Sequence, residues 1–147
     1  MYEILVHTHS GLRWVVLLLF IAVLAVSFSG LSGKKEFSEG NRKTALFAMI
    51  AFHTQFLLGL IMYFMSQKVS FAEGFMKDTQ LRFFAVEHLV AMTIAMVLIT
   101  IGYRKAKNAS SDSKKRFKGM ALYYTIAFIV VLASIPWPFR IAGSHWF

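Results

Sequence analysis

Four stretches of this chain stay apolar long enough to cross a lipid bilayer, and polar or charged segments separate them. A spanning helix needs about 20 predominantly apolar residues. The spans run from about Tyr2 to Ser29, Ala45 to Met65, Leu81 to Tyr103, and Gly119 to Pro136. The separators "SGLSGKKEFSEGNRK", "SQKVSFAEGFMKDTQ" and "RKAKNASSDSKKRFK" are rich in serine, glycine or charge and read as loops. Connections of about 14 to 16 residues favour an all-α, four-helix transmembrane bundle, up-down-up-down and antiparallel, in one membrane domain over 1–147. Pro136 and Pro138 end the fourth helix, because neither can donate a backbone hydrogen bond. The first span reads as a membrane helix rather than a cleavable signal peptide. It has no basic n-region and is longer than an h-region.

Composition agrees with this pattern. The 147 residues are 57% hydrophobic, with a mean hydropathy of +0.59. The absence of cysteine excludes disulfides, thiolate metal sites and covalent c-type heme attachment. The formal net charge of +9 would raise the question of nucleic acid on a soluble protein. Here its placement answers differently. Lys34, Lys35, Arg42 and Lys43 follow the first span, and seven more cations follow the third, together eleven of sixteen. The positive-inside rule puts both loops in the cytoplasm and both termini on the periplasmic side of a bacterial inner membrane. No nucleic-acid role is expected, since the basic loops are short and carry one aromatic each, Phe37 and Phe117. Contact with the lipid bilayer and its anionic headgroups is expected. Tyr2, Trp14, Tyr63, Trp137 and Trp146 gather toward the outer interface, and Tyr103, Tyr123 and Tyr124 toward the inner one. The "NAS" at Asn108 falls in a cytoplasmic loop, so no glycosylation is expected there.

Ionisable groups inside a membrane are costly and usually functional. At 1.5 Å rise per residue, His9 lies about 10 Å below the outer end of the first span. His88 lies about 10 Å below the outer end of the third. The two helices run in the same direction, so the imidazoles can face each other at one level. Two facing histidines are the ligand set for the iron of one heme. The plainer alternative is a pair of polar residues hydrogen-bonding between helices. His53 lies about 18 Å below the outer end of its span, near the midplane. An interhelical hydrogen bond is the expectation there, with a quinone site as the alternative. His7, two residues from His9, points to nearly the opposite side of the helix. His145 belongs to the C-terminal tail "GSHWF".

Arg13 sits one turn below His9, and a guanidinium at that depth needs a partner: Glu87, a propionate or a coordinating water. Glu87, beside His88, is the one carboxylate well inside a span, and with His53 it marks a second candidate polar site. Arg82 and Arg140, near the outer surface, suit heme propionates, because a fork of donors matches a carboxylate. Interfacial anchoring explains them equally well. Met92, one turn below His88, would line a heme pocket.

The residues then resemble a family. His9 begins the first helix, the second reads "HTQFLLGLIMYF" with Gln55 and Gly59, and the third reads "RFFAVEHLVAM" with Arg82, His88, Leu89 and Ala91. This is similar to one four-helix half of heme A synthase, with its Q-x-x-x-G pattern and its later histidine in an R-x-x-x-x-x-H-L-x-x-A context. The likeness covers spans one to three. The opening stretch also resembles that of small membrane cytochrome b-like proteins. Val6 stands where heme A synthase has an acidic residue, and a second half does not follow. The resemblance therefore implies one b-type heme, with Gln55 at the cofactor, more than it implies heme A synthesis.

The leading expectation is an electron carrier rather than a self-contained enzyme. It would hold one heme b on His9 and His88 near the outer face, as a subunit or accessory of a respiratory complex. A heme about 10 Å deep does not by itself carry electrons across a core of about 30 Å, so other membrane subunits or redox partner proteins are implied. A homodimer and a bound quinone stay open. The rivals are a heme-free structural or assembly subunit and a half-size heme-modifying enzyme. A transporter fits less well, since no span is broken by proline or paired glycines.

Overall fold

The computed structural model describes residues 1–33, 35–141 and 144. Four helices are long and apolar enough to cross a membrane: α1 (Tyr2–Ser32), α2 (Glu39–Met65), α3 (Thr79–Lys107) and α4 (Ser113–Ser134). Among the described residues there is no strand. The protein is an all-helical bundle, as the apolar pattern predicts. α1 packs on α2 and α4, and α3 packs on the same two, so α1 and α3 face each other across a diagonal.

Contacts near the helix ends fix which ends lie together. The Tyr2 hydroxyl donates to Ser66 Oγ at 2.9 Å. The Tyr63 hydroxyl donates to the Ala85 carbonyl at 2.8 Å. Phe37, just before α2, donates its backbone N–H to Ser113 Oγ at 2.8 Å. The bundle therefore has an end that carries the termini and an end that carries the basic loops.

On the basic side the helices outrun the apolar spans because polar caps start them. Ser38 Oγ accepts from the Asn41 N–H, and an Asp112 carboxylate oxygen accepts from the Lys115 N–H at 2.7 Å. α4 stops at Ser134 rather than at Pro136. Ile135 is extended, with φ −71° and ψ 133°, because the ring of a following proline disfavours helical backbone.

The interior is solid toward the basic end. Phe20 is fully buried and meets the rings of Phe52, Tyr124 and Phe128 at centroid separations of 6.0, 5.9 and 5.6 Å. The Tyr124 hydroxyl crosses the bundle to donate to the Ala45 carbonyl at 2.7 Å. Gly30 lets α1 approach α4 so closely that a Cβ there would collide with the Phe117 ring.

α3 is not uniform. Thr79–Arg82 is α-helical, Phe83–Glu87 forms a π turn, and His88–Lys107 is α-helical again. The His88 N–H bonds to the Phe83 carbonyl, five residues back. Such turns insert one extra residue and re-aim the side chains around them.

Candidate functional site

Toward the termini, the bundle opens into a cavity of about 190 Å³. That is far more than the roughly 10–15 Å³ a single water needs. His9 and Arg13 line it from α1, Gln55 and Gly59 from α2, and His88 and Met92 from α3. Most of the remaining wall is apolar, with Phe52, Phe56, Leu60, Leu89, Val131 and Ile135. His9, His88 and Arg13 lie within electrostatic range of one another.

Each histidine is held differently. His88 Nδ1 lies 2.7 Å from the Ser134 carbonyl oxygen, and the Phe83 ring lies 5.6 Å from the imidazole. Ser134 has a carbonyl to spare for a local reason. In a continuing helix it would accept from residue 138, and that residue is Pro138, which has no N–H. The same rule operates one step earlier. Pro136 leaves the Leu132 carbonyl to the Trp137 indole N–H, at 3.0 Å. An imidazole that donates Nδ1–H to a carbonyl presents the Nε2 lone pair on its other side. This is the usual posture of a metal-ligating histidine.

His9 is held less firmly: its ring lies within reach of the Gln55 main-chain carbonyl without completing a hydrogen bond at Nδ1. Its Nδ1 is buried without a hydrogen-bond partner, and so is Oε1 of Gln55. Gln55, 8% exposed, donates from Nε2 to the His9 backbone carbonyl at 2.8 Å. The His9 ring rests on Gly59, where a Cβ would stand 3.0 Å from His9 Cε1. An unpaired buried polar group costs roughly 1–3 kcal/mol. Both face one cavity, where water or a bound guest can supply their partners.

Other expectations fare differently. Arg13 does not meet Glu87. The Glu87 side chain is exposed and pairs with Arg82, Nε to Oε1 at 2.6 Å. The π turn brings these two residues, five apart, together outside the bundle. The Arg13 guanidinium instead lies near the Trp14 and Trp137 rings, 5.7 and 6.0 Å from their centroids. Arg82 also donates to the Met76 carbonyl. Arg140 donates to the Ala133 carbonyl and sits over the Phe83 ring, 5.8 Å from its centroid. Neither arginine lines the cavity.

His53 lies apart from both Glu87 and the cavity. Its Nδ1 is 2.7 Å from the Met49 carbonyl oxygen, and Nε2 is 3.3 Å from Thr100 Oγ1 on α3. That contact is the expected interhelical hydrogen bond. His7 is exposed. His145 and Trp146 lie outside the described residues. Sequence reasoning placed Tyr2 only in the outer aromatic belt and assigned no site role to Lys68 or Ser66, and all three line the cavity. It also passed over Ser134. The signal for Ser134 was present in a proline four residues later.

The donor set can be weighed against candidate guests. Among the described residues no group of three or more His, Asp or Glu side chains could hold a bare metal ion. Two imidazoles in an apolar cavity suit a metal that brings its other ligands with it, and a porphyrin does so. No family model, curated protein or solved structure matches the chain.

Proposed function

We propose that this chain is a membrane-embedded b-type heme protein that transfers single electrons, with His9 and His88 as the axial ligands. One observation carries the reading: imidazoles from diagonal helices line one apolar cavity, and His88 is already held with Nε2 as its available nitrogen. Heme, when bound, supplies a reversible one-electron couple. The chain's own part is to orient two imidazoles, to exclude water with the apolar wall, and to place cations. Arg13 and Lys68 line the cavity and take the propionate role that sequence assigned to Arg82 and Arg140. Met92 would supply part of the apolar wall around the heme, and Gln55 serves His9.

Lysine and arginine placement supports an orientation with the basic loops in the cytoplasm; in a bacterial inner membrane the cavity would then lie near the periplasmic face. A carrier with one site at one end of its helices needs a redox partner protein or further respiratory subunits, and a second copy of the chain would also serve.

The test is the visible spectrum of detergent-purified protein. A Soret band with sharp α and β bands on dithionite reduction is expected, with one heme b per chain by pyridine extraction. His9→Ala and His88→Ala should each abolish the low-spin signature. A flat spectrum from wild-type protein purified with heme supplied would leave the heme-free structural or assembly subunit.

A further inference from the structure

We infer that Gln55 is a positioning residue that clamps His9 twice, with its amide N–H on the His9 main-chain carbonyl and its amide oxygen on Nδ1–H, directly or through one water. The functional weight of this clamp rests on reading His9 as a heme ligand. Its geometry does not.

The first half of the clamp is present, with Nε2 at 2.8 Å from the His9 carbonyl oxygen. That bond ties the amide to the residue whose ring it would hold. The other end of the same amide, Oε1, is a buried acceptor without a partner, and His9 Nδ1 is a buried ring nitrogen without a completed hydrogen bond, although the ring also lies within reach of the Gln55 main-chain carbonyl. Both residues line the same cavity. An amide oxygen only accepts, so its partner must donate. A neutral imidazole donates from one nitrogen, and that nitrogen is Nδ1 whenever Nε2 carries a metal. Among the other donors that line the cavity, the Tyr2 and Tyr63 hydroxyls donate to Ser66 and to the Ala85 carbonyl, and the Arg13 guanidinium lies by the Trp14 and Trp137 rings. Gly59, one turn along α2 from Gln55, leaves the His9 ring free to settle against the helix backbone beside the amide.

The two ligands are then held by acceptors of different kinds. His88 donates to a fixed main-chain carbonyl, which substitution cannot remove. His9 donates to a side chain, which substitution can change. A stronger acceptor makes an imidazole a more basic ligand and favours the oxidised metal.

The experiment compares Gln55→Leu and Gln55→Glu with wild type in the full chain. In heme-loaded protein the clamp predicts midpoint potentials that move in opposite directions, upward for Gln55→Leu and downward for Gln55→Glu, at undiminished Soret intensity. Potentials that stay put, or that move together, overturn it. The fall for Gln55→Glu includes the direct effect of the carboxylate charge on the iron, so the deciding arm is Gln55→Leu, whose potential a merely structural glutamine would leave unchanged. If the chain purifies without heme, the heme reading fails, and the clamp is judged separately by ¹⁵N resonances of labelled histidines, with His9 assigned from His9→Gln. Protonation of His9 at Nδ1 in wild type, lost in Gln55→Leu, sustains it. Protonation at Nε2, or no change in Gln55→Leu, overturns it.

Discussion

The two ends of this bundle use the same kinds of residue for opposite purposes. At the basic end, aromatic rings and glycine fill the interior between the helices. Gly30 admits the Phe117 ring, whose centroid lies 4.8 Å from that of Phe37. The Arg116 guanidinium covers Phe37 at 4.0 Å and donates to the Ala106 carbonyl from Nε and Nη2. At the terminal end, Gly59 admits the His9 ring, and the amide and imidazole beside it are left with unused hydrogen-bonding atoms. Packing is nearly complete in one half and withheld in the other. Interiors are close-packed by default, so a cavity with half-satisfied polar walls is the feature that asks for a functional explanation.

The largest expected effect on stability lies at the solid end. Gly30→Ala places a methyl group inside the Phe117 ring, which is itself 1% exposed and boxed in by Phe37. Overpacking of this kind costs about 1–3 kcal/mol. Reversible unfolding of the protein in detergent should show that loss. The visible spectrum of the molecules that remain folded should be unchanged, because the strain lies at the end away from His9 and His88. A spectral change there would mean that the two halves are coupled.

Gly59→Ala inverts the pattern. The added Cβ would meet His9 Cε1 at 3.0 Å and Nδ1 at 3.6 Å, so the ring must yield by a few tenths of an ångström. The cavity gives it room to do so. Alanine also gains helix propensity of roughly 0.8–1 kcal/mol over glycine. Stability should therefore shift by less than about 1 kcal/mol, while heme affinity falls and the low-spin bands broaden. Equal stability losses for Gly30→Ala and Gly59→Ala would erase the contrast between the halves.

Much of the fold was legible in the residues. Four apolar runs and their basic loops pointed to the helices, since length and hydropathy alone decide that question. Depth along the helices pointed to His9 and His88, since a rise of 1.5 Å per residue turns sequence position into height. What sequence hid depends on rotation and on ends. The π turn at Phe83–Glu87 shifts the register by one residue, and no local composition announces it. Without that shift, Glu87 reads as a partner for Arg13. With it, Glu87 lies outside, against Arg82. The Ser134 partner of His88 could have been found by asking which carbonyls Pro136 and Pro138 leave unclaimed. The orphaned atoms of His9 and Gln55 could not have been found, because they exist only once two helices have set the space between them.

The smallest expected effect belongs to the residue that sequence and structure place differently. Arg82 reads from sequence as a propionate partner, and the bundle directs it to Glu87 and the Met76 carbonyl instead. Its side chain is 33% exposed and that of Glu87 43% exposed. An ion pair so open to solvent contributes about 0–1 kcal/mol. Arg82→Gln should thus lower stability by no more than that and leave the spectrum and the midpoint potential where they were. By contrast, Arg13→Gln removes a cation from the cavity wall and should raise the negative charge felt by the iron, lowering the potential. Should Arg82→Gln shift the potential as far as Arg13→Gln does, the guanidinium must leave Glu87 when the cofactor enters. The π turn would then be a movable element rather than a fixed spacer.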